Sequence, residues 1–276
     1  MMQATAALST DLGADGRIRV RTLRSQAPLM LRPTHAKGPE PWTTGDTRLA
    51  RVCLAAGAAG PIGGDEYELT VDVGAGSTLV LRDVSATLLL PGPHGAQSRL
   101  RTTVRVGAGA TLVWLPEPVI AAHDCHHRTD VHLELDADAR LVVREELLLG
   151  RHREQPGDVV QRLRIRRAGW PLLDQQLAVG PRAVGWDGPA VTGGRRAIGS
   201  LVVVDPAWAD APTAALLGDD TAVLPLQGPA ALVSALGSDA QALRRSLDAA
   251  LDRLTTTRVA GTNRDAPHPP TPVAAA

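Results

Sequence analysis

The chain has 276 residues, enough to bury a full core, and 29 basic against 29 acidic side chains, for a formal net charge of zero. That balance gives no electrostatic reason to bind a nucleic-acid backbone or an anionic membrane surface, and no apolar run is long enough to span a bilayer. Phe is absent and Tyr occurs once, so the core has to be built from Leu, Val, Ile and Ala, which suits layered strands better than a pocket walled by aromatics.

The opening, MMQATAALSTDLGADG, has neither the basic n-region nor the apolar h-region of a secretory signal, so a cytoplasmic protein is expected. In that compartment Cys53 and Cys125 are expected to stay reduced. Strands are predicted at Ile18 to Leu23 and Leu49 to Leu54. A repeat then begins. From Leu69 the sequence reads LTVDVGAGSTLVLRDV, from Thr103 TVRVGAGATLVWLPEP, and from Leu133, in weaker form, LELDADARLVVREEL. Each copy alternates apolar and polar residues on both sides of a turn, the pattern of two strands with one buried face each. The VGAG turns supply residues that tolerate positive φ, as a tight hairpin requires, and Asp-Ala-Asp takes their place in the third copy. A spacing near thirty residues predicts stacked, solenoid-like units, although hairpins of an ordinary sandwich would repeat similarly.

Further strands are predicted at Val159 to Arg166, Leu172 to Val179 and Leu201 to Val204. The β texture ends near Asp205. Ser238 and Asp239 then offer an N-cap to a helix with Leu243, Leu247, Leu251 and Leu254 on one face, ready to dock on the β body or on a partner. The expected organisation is therefore mainly β: one stacked β-strand body with a small C-terminal helix over residues 1–254, followed by a disordered Pro-, Ala- and Thr-rich tail over 255–276.

Three segments carry groups with possible chemistry. Gly63-Gly64-Asp65 precedes the first repeat, where Asp65 can fix the turn or face a polar interior. LPEPVIAAHDCHHR ends in His123, Cys125, His126 and His127, residue types that suit nickel or zinc, without the spacing of a zinc finger or HExxH; a solvated loop is the plain alternative. In LGRHREQPGD, Arg151 is placed to pair with Glu145 or Glu146. There is no GxSxG elbow, no P-loop lysine and no GxGxxG between strand and helix.

Taken in order, GGD-x-YELTVDVGAGSTLVL, VRVGAGATLVWLPEPVI, LELDADARLVVREELLLGR and PGD resemble the UreD (UreH) family of urease accessory proteins, as do Leu29 to Pro33 and PAALVSALGSDAQALRRSLDAAL. The chain departs from the family where a TTQ-type segment would follow the first repeat; here it reads RDVSATLLLPGPHG. LPDP has become LPEP, with Glu117, and GE has become GD, with Asp158, so a carboxylate is kept at both. The resemblance implies a scaffold and not an enzyme. Such a protein binds UreF and, through it, the GTPase UreG on apo-urease, and helps deliver nickel, which passes through transiently with no cofactor tightly bound. It also implies an internal ion route, for which Asp65 is the expected wall residue, with Glu117 and Asp158 fixing turns. The competing expectations are a stand-alone β-solenoid binding module and a metal-dependent hydrolase using His123, Cys125, His126 and His127.

Overall fold

A computed structural model describes residues 1–35, 40–41, 43 and 49–262. In chain order its elements are β1 (Gln3–Leu12), β2 (Ile18–Arg24), β3 (Leu29–Pro33), β4 (Ala50–Ala56), β5 (Glu66–Val73), β6 (Thr78–Asp83), β7 (Thr87–Leu89), β8 (Ser98–Val106), β9 (Thr111–Leu115), β10 (Val119–Ala121), β11 (His126–Leu135), β12 (Arg140–Leu149), β13 (Asp158–Arg167), β14 (Trp170–Val179), β15 (Ala197–Val204), β16 (Ala215–Leu216), β17 (Thr221–Pro225), β18 (Ala230–Gly237) and α1 (Ala240–Thr262). The strands form two facing sheets. One runs β14-β13-β11-β8-β5-β1-β2; the other runs β16-β17-β18-β15-β12-β9-β6-β4-β3, with β7 and β10 attached beside β12.

The stacked architecture is as expected, but the repeat units are not hairpins. In each copy the two strands enter opposite sheets and pair with their counterparts in the next copy. Thus β5, β8 and β11 lie parallel in one sheet, and β6, β9 and β12 parallel in the other. The turns stack as well: Gly74, Gly107 and Asp136 each accept from the residue three further on, at 3.0, 3.0 and 3.2 Å. Gly76 and Gly109 hold φ of 67° and 62° at the tips, the left-handed region that a side chain would strain. Asp138 of the third copy accepts from Gly109 N–H at 2.9 Å, tying its turn to the one before. Facing strands also bury more than a lone hairpin can, since their inner faces share one core.

That core is dry at one end. Val104, Val106, Leu133, Leu135, Leu163 and Ile165 close it against the second sheet. The outer face of the first sheet is a charge lattice. One row across it reads Glu68, Arg101, Asp130, Arg162 and another Asp72, Arg105, Glu134, Arg166, acidic and basic strands alternating. Ion pairs such as Arg101–Glu68 at 2.9 Å follow, and a one-residue slip of any strand would bury its charges.

The β body does not end near Asp205: β17 and β18 extend the second sheet to Gly237 beyond β15. Asp239 caps α1 by accepting from Ala242 N–H at 2.8 Å, and Leu243, Leu247, Leu251 and Leu254 pack on the outer side of the second sheet, against residues such as Val142, Leu201 and Val233. The helix continues to Thr262, past the boundary expected at residue 254, and the rest of the expected tail lies outside the described residues.

Two outcomes follow. Leu247→Ala, at a fully buried position on the inner face of α1, should cost about 2–5 kcal/mol in denaturant unfolding. Arg101→Glu, facing Glu68 and Asp130, should lower the melting temperature at low salt and lose that effect in high salt; an equal loss at both would show that charge alternation is not what the position contributes.

Candidate functional site

Between the sheets, at the end opposite the dry core, lies a chamber of about 360 Å³. Its cause is a break in the second sheet. Pro116 and Pro118 lack the N–H that a ladder needs, so β9 stops at Leu115 and β10 starts at Val119. The neighbouring coil is interrupted at the same level, between β6 and β7, whereas β12 runs through, pairing first with β9 and then with β10. Facing this gap, the first sheet turns polar. Ser98 and Thr102 of β8, His127 and Thr129 of β11, and Gln161 of β13 point inward, where further along the same strands the inward residues are Val, Leu and Ile.

Carboxylates complete the wall. Asp83 ends β6, Glu117 sits in the break, and Glu145 lies mid-way along β12. Glu145 accepts from Ser200 Oγ at 3.4 Å; burial, opposed only by that bond, pushes it up to about 7. Asp83 also rises to about 7, through burial and then the charge of Glu117, although the Glu117 backbone N–H pulls the other way. Glu145 and Gln161 border a second cavity of about 200 Å³, between β13, β14 and β15, so polar groups run from one space to the next.

Outside the break stands a knot of ions. Arg144 and Glu146 point from β12 toward α1, both buried, with Arg144 Nε 2.7 Å from Glu146 Oε1. Arg144 Nη1 reaches Asp248 at 2.8 Å, while Arg244 reaches Glu146 at 2.6 Å and Glu117 at 3.2 Å. Arg151 is not part of it: it takes Glu154, at 2.6 Å, instead of Glu145 or Glu146.

Asp65 and Glu117 occupy the reverse of their expected positions. Asp65 Oδ1 accepts from Met2 N–H at 2.7 Å, and Oδ2 from Tyr67 Oη–H at 2.7 Å and Ile62 N–H at 3.0 Å. Burial alone would raise Asp65, but these bonds outweigh it and hold it below its ordinary value. At that point the chamber wall is Tyr67, with Asp65 behind it. The GGD sequence has a steric reason too: a Cβ on Gly63 would lie 2.5 Å from Gly92 N, so the two backbones touch, and Gly64 takes φ of 94°. Asp158, by contrast, does fix a turn, accepting from Arg182 N–H at 2.6 Å.

The His-rich segment is not brought together. His123 is exposed beside Asp124. Cys125 is buried in an apolar cluster with Leu147, Leu149 and Val159, which together with nearby acids, Asp158 first, pushes its thiol up to about 12. Strand alternation sends His126 outward, to Gln97 and Arg182, and His127 inward. His127 is fully buried, bonded to Ser98 Oγ at 2.8 Å and Thr129 Oγ1 at 3.0 Å; burial, then His126, lowers it to about 4, so the ring is neutral at pH 7. Both cysteines are free thiols. Among the described residues no three His, Cys, Asp or Glu side chains are gathered as a resident metal site, and no helix is long and apolar enough to cross a membrane.

Asp83, Glu145 and the ion knot escape a motif search, yet a signal exists. The repeats align Leu81, Trp114 and Val143. Counting on two residues gives Asp83, Pro116 and Glu145, and three gives Val84, Glu117 and Glu146. Acids thus recur at one place in the repeat, inside a strand otherwise apolar enough to be central.

Comparison with known proteins agrees with the resemblance. The family described as UreD urease accessory protein matches residues 3–270. A protein of Streptomyces avermitilis named urease accessory protein UreD is 43% identical over 92% of this chain and 98% of its own length. Proteins of the same name from Parafrankia and Frankia alni are 40% and 42% identical, over 92% and 91% of this chain and 89% and 93% of their own lengths. The chain therefore belongs to the UreD family: it is a urease accessory protein, with a role in urease maturation rather than an enzymatic one.

Proposed function

We propose that the chain acts in the cytoplasm as a scaffold that binds UreF, and through it the GTPase UreG, on apo-urease, and that nickel crosses it through the space between the sheets. The observation that carries this reading is the chamber between the sheets with Asp83, Glu117 and Glu145 on an otherwise largely apolar wall, and a second cavity that shares Glu145 and Gln161 with it. Carboxylate oxygens, hydroxyls and a neutral imidazole are weak, replaceable ligands when met singly or in pairs, which suits a cargo that must leave again. Nickel is the substrate of this passage, held by no complete set of ligands.

Buried acids of this kind cost stability. A carboxyl raised from 4.5 to about 7 is better protonated in the folded chain, so its own contribution to stability is most favourable below the unfolded value, falls as pH rises toward about 7, and stays reduced above it. Glu145→Gln removes that penalty. It should make the protein more stable at pH 8, on the order of 2 kcal/mol, and flatten the pH dependence between about 4.5 and 7. Nickel incorporated into urease should nevertheless fall at matched levels of folded complex. Lower stability together with unchanged nickel content would remove Glu145 from the route.

Asp65→Asn should behave in the opposite way. It weakens three hydrogen bonds, so the melting temperature should drop, by an amount corresponding to about 1–3 kcal/mol, and nickel content should follow only the amount of folded protein. A specific loss of nickel transfer with an unchanged melting temperature would return Asp65 to the route.

A further inference from the structure

We propose that Arg244 of α1 is an exchangeable counter-ion for Glu117, which a divalent cation entering the chamber replaces. This rests on the chamber being a nickel route, and it assigns the control of its mouth.

The grip of Arg244 is uneven. Its Nε lies 2.6 Å from Glu146 Oε1, and the Glu146 side chain is 1% exposed. Its two Nη atoms reach Glu117 at 3.2 and 3.5 Å, and that side chain is 34% exposed. Glu146 is held a second time by Arg144. An ion pair strengthens as it shortens and as water leaves, so the Coulomb attraction of Arg244 is stronger toward Glu146, and its two longer hydrogen bonds to the more exposed Glu117 are the ones that let go. Pivoting about Nε frees Glu117 while α1 stays docked through its leucines and through Asp248 on Arg144.

What Glu117 would join is already in place. Asp83 and Glu117 both line the chamber, close enough for the charge of Glu117 to raise Asp83. Asp83 Oδ1 is shielded from solvent and has no hydrogen-bond partner, although it lines the chamber. A buried acceptor without a donor is costly unless something occupies it in the working state. A divalent cation bridging Asp83 and Glu117 supplies that partner, with further ligands from water in the chamber. A monovalent ion offers half the charge against the same guanidinium, so the exchange selects for double charge.

The test is calorimetric titration of the full chain with Ni²⁺ alone, co-purified with its partner where solubility demands it, in a double-mutant cycle. Arg244→Met should bind nickel roughly tenfold more tightly than wild type, since the competitor is gone. Arg244→Lys, which keeps the charge but loses the fork, should lie between the two, and serves in place of Arg244→Met if that variant melts early. Glu117→Gln should lose most of the binding, and in its background Arg244→Met should have no further effect. Equal affinities for wild type, Arg244→Met and Arg244→Lys, with Glu117→Gln still weak, would overturn the counter-ion while leaving the route intact. Unchanged binding in both Glu117→Gln and Asp83→Asn would overturn the chamber as a nickel site and the counter-ion with it.

Discussion

Pro116 and Pro118 have no N–H to give to a neighbouring strand, and a parallel sheet cannot run through them unbroken. Most of what distinguishes this molecule from a filled β-sandwich follows from that. The coil before them is interrupted at the same level, at residues 84–86, and only β12 carries the sheet across. With one wall open, the inward positions of β8, β11 and β13 admit Ser98, Thr102, His127, Thr129 and Gln161 beside Leu100 and Val131. Further along the same strands, where β6, β9 and β12 are continuous, Val, Leu and Ile close the core. One set of strands thus builds a dry half and a wet half.

The dry half sets the terms on which the wet half can exist. Parallel rungs fix register through hydrogen bonds and the outer charge lattice, and α1 adds a second apolar layer behind the sheet. Against that background the molecule tolerates Glu145 and Asp83 in surroundings that raise both to about 7, and a salt-bridged cluster with Arg144 and Glu146 almost out of solvent. Groups held at such cost mark a function more reliably than exposed acids do. Asp65 shows the contrast: it too is out of solvent, but saturated by donors and lowered instead of raised, as befits a structural carboxylate.

Much of this was legible in the sequence. Period-two alternation located the strands of the three repeats, and the leucine spacing located α1, because each depends on one face being buried. The partner of each strand was not legible. LTVDVGAGSTLVL reads the same whether its two halves pair with each other or with other copies, since a glycine-rich turn serves a hairpin and an arch alike. The strands after Asp205 escape the alternation pattern because β16 and β17 are short and β18 is buried along nearly its whole length, gaining its order from lying beside β15. The site was half legible. Glu117 stood out through its motif, but it is Glu117 and not Asp65 that lines the chamber, because a motif records which residue is kept and not which way it faces. His126 and His127 illustrate the same limit: adjacent in the sequence, they lie on opposite faces of one strand.

The interior passage can be tested most directly by locating the cargo. Anomalous diffraction at the nickel absorption edge, from crystals of the chain with its partner soaked at low nickel concentration, should give a peak between the sheets beside Asp83, Glu117 or Glu145. A peak confined to the exposed side of the molecule, at His123 or His126, with nothing in the chamber, would contradict a route through the interior.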